Sequence, residues 1–502
     1  MDQKQLYEKF QKESLYRHNL GSVLGHLGWD QQVMLPAGAH PQRQEQMVAL
    51  STMVHKLGVC REWGELVHQL YDIGEDKFDE YEWKNISESK RSIDESTKIP
   101  QELIEESARL AAQGHALWVE AKKKNDFSLF SGTLEKHLIL RKKVAEILYP
   151  DKHPYDVCLD GFERGMNREY IDGVFAELKA GLVKLLDRIE KSPKDVKPFP
   201  DGPYPVGLQR ELNREISERI GFDFECGRID ESAHPFSGGG HFTDVRITTR
   251  YEDGCFFNSL SSTVHETGHG MYEQGRMRGI HQDMPVSASL GLVVHESQAL
   301  LWERMVSQGQ PFWKHFGPEI VSTFPEKLSD FDPMDLYRAC NRVVFQYIRI
   351  NADEVTYPLH IILRYELEKE LFEGSLKVEE LPEAWNAKSH ELLGFIPSTD
   401  SIGVLQDAHW SDGGFGYFPV YTLGAMYGAQ LFHHAMRVIP GLESHCSNGD
   451  FSLLKKYLNE NIHQKGRLYE ARELLKKVTG EDLCAKKYLD YLDRKYSEIY
   501  GI

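Results

Sequence analysis

Residues 265–269 read His-Glu-Thr-Gly-His, two imidazoles four positions apart with a carboxylate beside the first. On an α-helix, positions four apart lie about one turn above each other, so both rings can reach one ion. Glu266, rotated by about 100° from His265, is then placed to meet water on that ion. Imidazole, carboxylate and water suit zinc, with cobalt able to substitute. Bound water there has its pKa brought toward about 7, a carbonyl is polarised, and the adjacent carboxylate can take a proton and pass it to a leaving amine. The competing reading is an ordinary helix bearing two surface histidines. In a chain with 22 histidines, the spacing arises by chance in roughly one sequence in ten to twenty. Gly268 weighs against chance: inside a helix it costs about 1 kcal/mol relative to alanine, which implies a close backbone approach. Gly275 suits a left-handed stop for the same helix.

A catalytic zinc takes a third protein ligand and keeps a fourth position open. Downstream, GLVVHESQALLWERM is an apolar helical stretch with Glu296 deep inside it and His295 beside it. Burying a carboxylate among Leu292, Val293, Val294, Leu300 and Leu301 is costly unless a cation neutralises it. The 31 residues from His265 to Glu296 are enough for a helix, a loop and an antiparallel return helix. Glu296 is therefore the expected third ligand, with Glu296 paired to Arg304, or His295 as ligand, as the alternatives.

The elements that must position these residues are mostly helices. Ile171, Val174, Phe175, Leu178, Leu182, Leu185, Leu186 and Ile189 form one face of a 3.6-residue period. Pro41 suits a first helical position and Gly58 a left-handed stop, with Met47, Leu50, Met53, Val54 and Leu57 between them as an expected buried stripe. Helices are also expected over 101–122, 134–148, 333–350, 358–373 and 451–478. No fixed-period repeat is present, which disfavours a solenoid. Pro193, Pro198, Pro200, Pro203 and Pro205 make 191–207 a stiff extended connection that could separate two lobes. His241–Tyr251, rich in threonine and β-branched residues, followed by Glu252-Asp253-Gly254 and Cys255-Phe256-Phe257, reads as a hairpin.

Bulk properties narrow the function classes. A chain of 502 residues is expected to form one large domain or two packed lobes. A net charge of −18 repels phosphate and argues against nucleic acid as a partner. The first residues mix charges without an apolar stretch, and no later run approaches the roughly 18 apolar residues that span a bilayer, so neither secretion by a signal peptide nor membrane insertion is expected. Seven scattered cysteines without a CxxC pair read as reduced thiols in a cytoplasmic protein.

The sequence also resembles a known family. HPF at 234–236, DVRIT at 244–248, HETGH at 265–269, HESQ at 295–298, IRINADEVTY at 348–357 and GVLQDAHW at 403–410 match, in order, the motifs of the thermostable carboxypeptidase (carboxypeptidase Taq) family of metallopeptidases. The opening LGHLGWDQQVMLPAGAHPQRQEQM is similar as well, so the likeness runs the length of the chain. It implies a mainly α, two-lobed enzyme with a deep central cleft, similar to the angiotensin-converting-enzyme and neurolysin folds, with a small antiparallel sheet beside the metal-binding helix and usually a homodimer. It implies release of single residues from the free C-termini of peptides, with broad specificity, and one zinc per chain. By the resemblance His265, His269 and Glu296 are the metal ligands and Glu266 the general base. Arg349 matches the position that binds the terminal carboxylate, His234 a position near the scissile carbonyl, and Tyr421, with Tyr417 as second candidate, the donor to the oxyanion. Ala299 departs from some members, which carry a small polar residue there.

The residues themselves support these roles unevenly. Arg349 lies near the end of the helix expected to open with Asp332 as N-cap and Pro333, and its planar guanidinium suits a carboxylate, but a surface salt bridge would use it equally well. His234 precedes Pro235 and so sits in extended backbone, where a loop histidine is ordinarily solvated. Tyr421 follows Gly414, Gly416 and Pro419, which suit a cleft-lining turn, against the alternative of a core aromatic. Arg246 shares a strand face with Asp244 and Thr248, either solvent-exposed or lining the cleft as a substrate-binding residue. Three functions remain: a zinc carboxypeptidase, a neurolysin-like endopeptidase or dipeptidase, and a non-catalytic helical binding protein, against which the presence of Glu266 argues.

Overall fold

The computed structural model describes all of residues 1–502. It is helical nearly throughout, with a single three-stranded sheet. Ile171–Ile189 lies within the helix Arg168–Glu190, whose buried face is the expected one. The strongest departures from local periodicity occur where long-range contacts take over. The helix expected over 333–350 runs only from Pro333 to Cys340. It ends where the Asn341 side chain donates to Tyr337 O and Gln308 O at 2.8 and 3.0 Å, and the Val344 N–H turns to Asp353. The expected 451–478 helix is two, Ser452–Asn461 and Ala471–Thr479, parted by a tight turn at His463–Lys465.

The helix His40–Gly58 forms with Pro41 in its first turn, but it contains no buried residue. The expected apolar stripe lies half-exposed because the helix packs chiefly on its neighbour, Gln3–Val33. Gly58 closes this helix without a left-handed residue, and Gly275 ends its helix at φ −84°.

The sheet comprises Gly227–Glu231, Ser237–His241 and Asp244–Thr249, in the order first, third, second. The first and third strands are parallel, and the second and third antiparallel, so the sheet is mixed rather than purely antiparallel. The expected hairpin into 255–257 does not form. Residues 253–254 instead bond to the proline-rich segment, Gly202 N to Gly254 O at 3.0 Å and Tyr204 N to Asp253 O at 2.8 Å. This clamp directs the chain straight into the helix Phe256–Gln274, with Phe256 packed on Tyr204 and Phe324. The sheet then lies against that helix, and one continuous core of 90 buried residues surrounds it. A separate cluster of nine, including Phe10, Trp63 and Ile86, underlies the N-terminal helices.

Candidate metal centre and active site

Two helices meet at the site. Phe256–Gln274 carries His265, Glu266 and His269, and Leu292–Leu300 carries His295 and Glu296. They approach closely because Gly268 lacks a side chain: a β-carbon there would stand 2.7 Å from Ala299 Cα and 2.8 Å from Gln298 O. The helix Pro419–Val438 closes on the other side through Gly424, where a β-carbon would fall 2.7 Å from Glu296 Cγ. Glu296 thus occupies space left by a glycine of a third helix.

The structure brings His265, His269 and Glu296 together, with one donor atom of each within 4.8 Å of the others. His269 Nε2 is 3.7 Å from Glu296 Oε2. Each imidazole uses its far nitrogen elsewhere. His265 Nδ1 meets Glu303 Oε2 at 2.7 Å, and His269 Nδ1 meets His295 Nδ1 at 2.6 Å. Partners on Nδ1 fix the ring orientation and leave Nε2 for an ion, the usual arrangement of metal-ligating histidines. His295 is fully used, because its Nε2 meets Glu273 Oε1 at 2.9 Å; it holds His269 rather than standing among the donor atoms. Glu296 makes no ion pair with Arg304, whose guanidinium lies over the Tyr357 ring. This donor set fits one divalent ion.

Glu266 is 6 % exposed, and its Oε2 has no hydrogen-bond partner. Burial pushes its carboxyl up to about 7, against the pull of His265. Burial also raises Glu296, while for Glu303 the same effect is outweighed by the hydrogen bond with His265, which holds that carboxyl below its ordinary range. Glu273 is held down to about 2, burial being overcome by His295 and Arg276.

A second cluster forms the facing wall. Arg349 sits in a tight turn at Arg349–Asn351, 4 % exposed. Its Nε and Nη2 donate to Asp407 Oδ1 at 3.0 and 2.8 Å, and Nη1 donates to Tyr357 Oη at 2.6 Å. Arg364 Nε donates to the other oxygen of Asp407 at 2.7 Å. Two guanidiniums around one carboxylate leave this wall with a net positive charge. Tyr421, in the first turn of Pro419–Val438, has its ring 4.9 Å from the Arg349 guanidinium and its hydroxyl 3.2 Å from His409 Nε2. Tyr417 packs edge-on against it at 5.3 Å. Burial pushes up the hydroxyls of Tyr357, Tyr417 and Tyr421, and the negative charge of Glu296 adds to the shift in each.

His234 lies exposed in the loop between the first two strands, and its ring makes no hydrogen bond. Arg246 forks onto Asp244 at 2.7 and 2.8 Å and stacks over Trp29 at 4.7 Å. Sequence reasoning did not find Glu303, Asp407, Arg364, Tyr357 or His409. Of these, Tyr357 lies inside IRINADEVTY, Asp407 and His409 lie inside GVLQDAHW, and Glu303 is an acid in an apolar run, the same signal that marks Glu296.

A helical molecule with two histidines and a glutamate converging in its interior, beside a buried and unpartnered carboxylate, has the make-up of a metal-dependent hydrolase. Residues 9–496 match the family model described as carboxypeptidase Taq (M32) metallopeptidase, and the chain belongs to that family. It is 38% identical to thermostable carboxypeptidase 1 of Thermus thermophilus, with 98% of each chain covered, and 36% identical to carboxypeptidase 1 of Bacillus subtilis, with 94% of each covered. Among solved structures, an M32 carboxypeptidase from Deinococcus radiodurans superposes with a TM-score of 0.95 at 33% identity, covering 99% of this chain and 100% of that one. Metallocarboxypeptidase 1 of Trypanosoma cruzi gives 0.94 at 32%, with the same coverage.

Proposed function

We propose that this metallocarboxypeptidase removes single residues from the free C-termini of peptides with broad side-chain tolerance, as one catalytic unit of two packed lobes. The observation that carries the reading is the convergence of His265, His269 and Glu296 beside the unpartnered oxygen of Glu266. His265 and His269, through Nε2, and Glu296 would hold one zinc ion per chain, with cobalt able to replace it. When bound, the ion supplies Lewis-acid polarisation of the scissile carbonyl and acidifies water. Glu266 takes the proton of the attacking water and delivers it to the leaving amine. Tyr421, or Tyr417 beside it, donates a hydrogen bond to the oxyanion, and His234 approaches the scissile carbonyl from the strand loop.

Arg349 is assigned to the terminal carboxylate of the substrate, supported by the surplus positive charge it shares with Arg364 around Asp407. Arg246 is assigned to substrate contact from the sheet. Seven free thiols accord with a cytoplasmic protein. The uncovered apolar residues Val48 and Met53 of the N-terminal helices accord with a homodimer, which light scattering would show as twice the 57.8 kDa chain mass.

The decisive experiment follows N-blocked peptides by mass spectrometry. Free-acid peptides should shorten one residue at a time, and their C-terminal amides should resist. Arg349→Ala should lower kcat/KM more than tenfold on free acids, given about 2 to 5 kcal/mol for a buried charge-assisted pair, and barely alter slow amide cleavage. Equal cleavage of both forms, or internal cuts, would replace this reading with a neurolysin-like endopeptidase.

A further inference from the structure

A half-open pocket of about 260 Å3 lies behind the start of the helix Leu292–Leu300, walled by Tyr149, Phe162 and Tyr469 and by charged side chains. None of the metal-centre residues lines it. Most of its charges are spoken for: Arg91 pairs with Asp160 at 2.6 Å and with Glu95 at 2.8 Å, and Arg164 pairs with Glu88. Glu163 and Arg467 are different. Glu163 is 2 % exposed and forms no ion pair; its Oε2 accepts from Val293 N at 2.7 Å, which fixes the carboxyl, while its Oε1 has no partner. Glu470, also on the wall, has an unpartnered buried oxygen, Oε2. Arg467 spends its Nε on Ser289 O at 3.0 Å and donates neither terminal nitrogen to any protein group.

A carboxyl oxygen buried without a partner is costly, and this pocket holds two of them beside a guanidinium whose terminal nitrogens are free. A zwitterion answers both. We propose that this cavity binds a free α-amino acid, its ammonium group at Glu163 and Glu470, its carboxylate at Arg467, and an apolar side chain against Tyr149, Phe162 and Tyr469. The volume falls just below the range of small-molecule pockets, roughly 300 Å3 upward, and suits a ligand of single-residue size. Burial pushes the Glu163 carboxyl up to about 8, so an arriving ammonium displaces a proton there. Occupancy of this cavity is independent of whether the cleft cleaves peptides.

Calorimetry of the metal-loaded enzyme with L-leucine tests the assignment, with isoamylamine and 4-methylpentanoate as analogues lacking the carboxylate or the ammonium. Leucine should bind, and each analogue should bind at least about tenfold more weakly. Arg467→Gln should abolish this binding, while Arg349→Ala, which alters the cleft, should retain it. No leucine binding in the wild type, or binding lost in Arg349→Ala and kept in Arg467→Gln, would overturn the proposal. If Arg467→Gln melts early, crystals of the wild type soaked in L-leucine decide: density bridging Glu163 and Arg467 is expected, and a cavity unchanged by the soak refutes the site.

Discussion

Glu266 has a buried oxygen that nothing in the protein engages. Its replacement by glutamine keeps the volume and leaves His265, His269 and Glu296 in place. Glu266→Gln should therefore retain one equivalent of metal by elemental analysis yet lose at least about 100-fold in kcat, the low end of general-base contributions. Activity within threefold of wild type would reassign the residue. Glu303 acts one step further out. Its carboxylate holds His265 Nδ1 and accepts from Ser261 Oγ at 3.1 Å, so it orients the ring and raises its basicity. Glu303→Gln should weaken metal affinity by about 10- to 100-fold, read by competition with a chelator, with kcat recovering when metal is supplied in excess.

Helix contacts set the distances on which those residues depend. Gly268 permits the helix Phe256–Gln274 to lie against the backbone of Gln298 and Ala299, and backbone cannot swing aside as a side chain can. Alanine at 268 gains about 1 kcal/mol of helix propensity, but it forces the two helices apart. Gly268→Ala should destabilise the fold by about 1 to 3 kcal/mol, as overpacking in a dense core does. It should also weaken metal binding, because His269 and Glu296 sit on opposite sides of that contact. Urea midpoints with and without metal would measure both effects. A variant as stable as wild type would show that the helices can part freely.

At the scale of the molecule, the core holds several titratable groups away from water. His360 is buried, its Nε2 has no partner, and burial, together with the nearby charges of Arg364 and Arg349, lowers it to about 3. The unfolded chain, with an ordinary histidine near 6.5, binds a proton there that the folded protein refuses. The stability this neutral ring contributes is fully present above pH 6.5 and is lost as pH falls toward 3. From pH 6.5 to 5, His360 should cost about 1.5 kcal/mol. The stability gap between wild type and His360→Gln, taken from denaturant titrations, should shrink by that amount over this interval; a gap constant with pH would show that the ring is protonated in the folded state.

The convergence of His265, His269 and Glu296 was legible because its signals are short-range. The four-residue interval of His265 and His269 has meaning on any helix, and Glu296 stands out against its apolar neighbours wherever the chain goes. Family motifs extended that reading to Arg349, His234 and Tyr421. Assembly of the surroundings was not legible. Arg349 meets Asp407 58 residues away, and Arg364 meets the same carboxylate across 43; neither pairing leaves a trace in local periodicity. The helix expected to carry Arg349 stops at Cys340 because Asn341 and Asp353 take over backbone groups. The hairpin at 241–257 yields to the clamp between Gly202 and Gly254. Periodicity reports which face a segment would bury, whereas the partner for that face, and for each buried charge, comes from contacts between segments far apart in the chain.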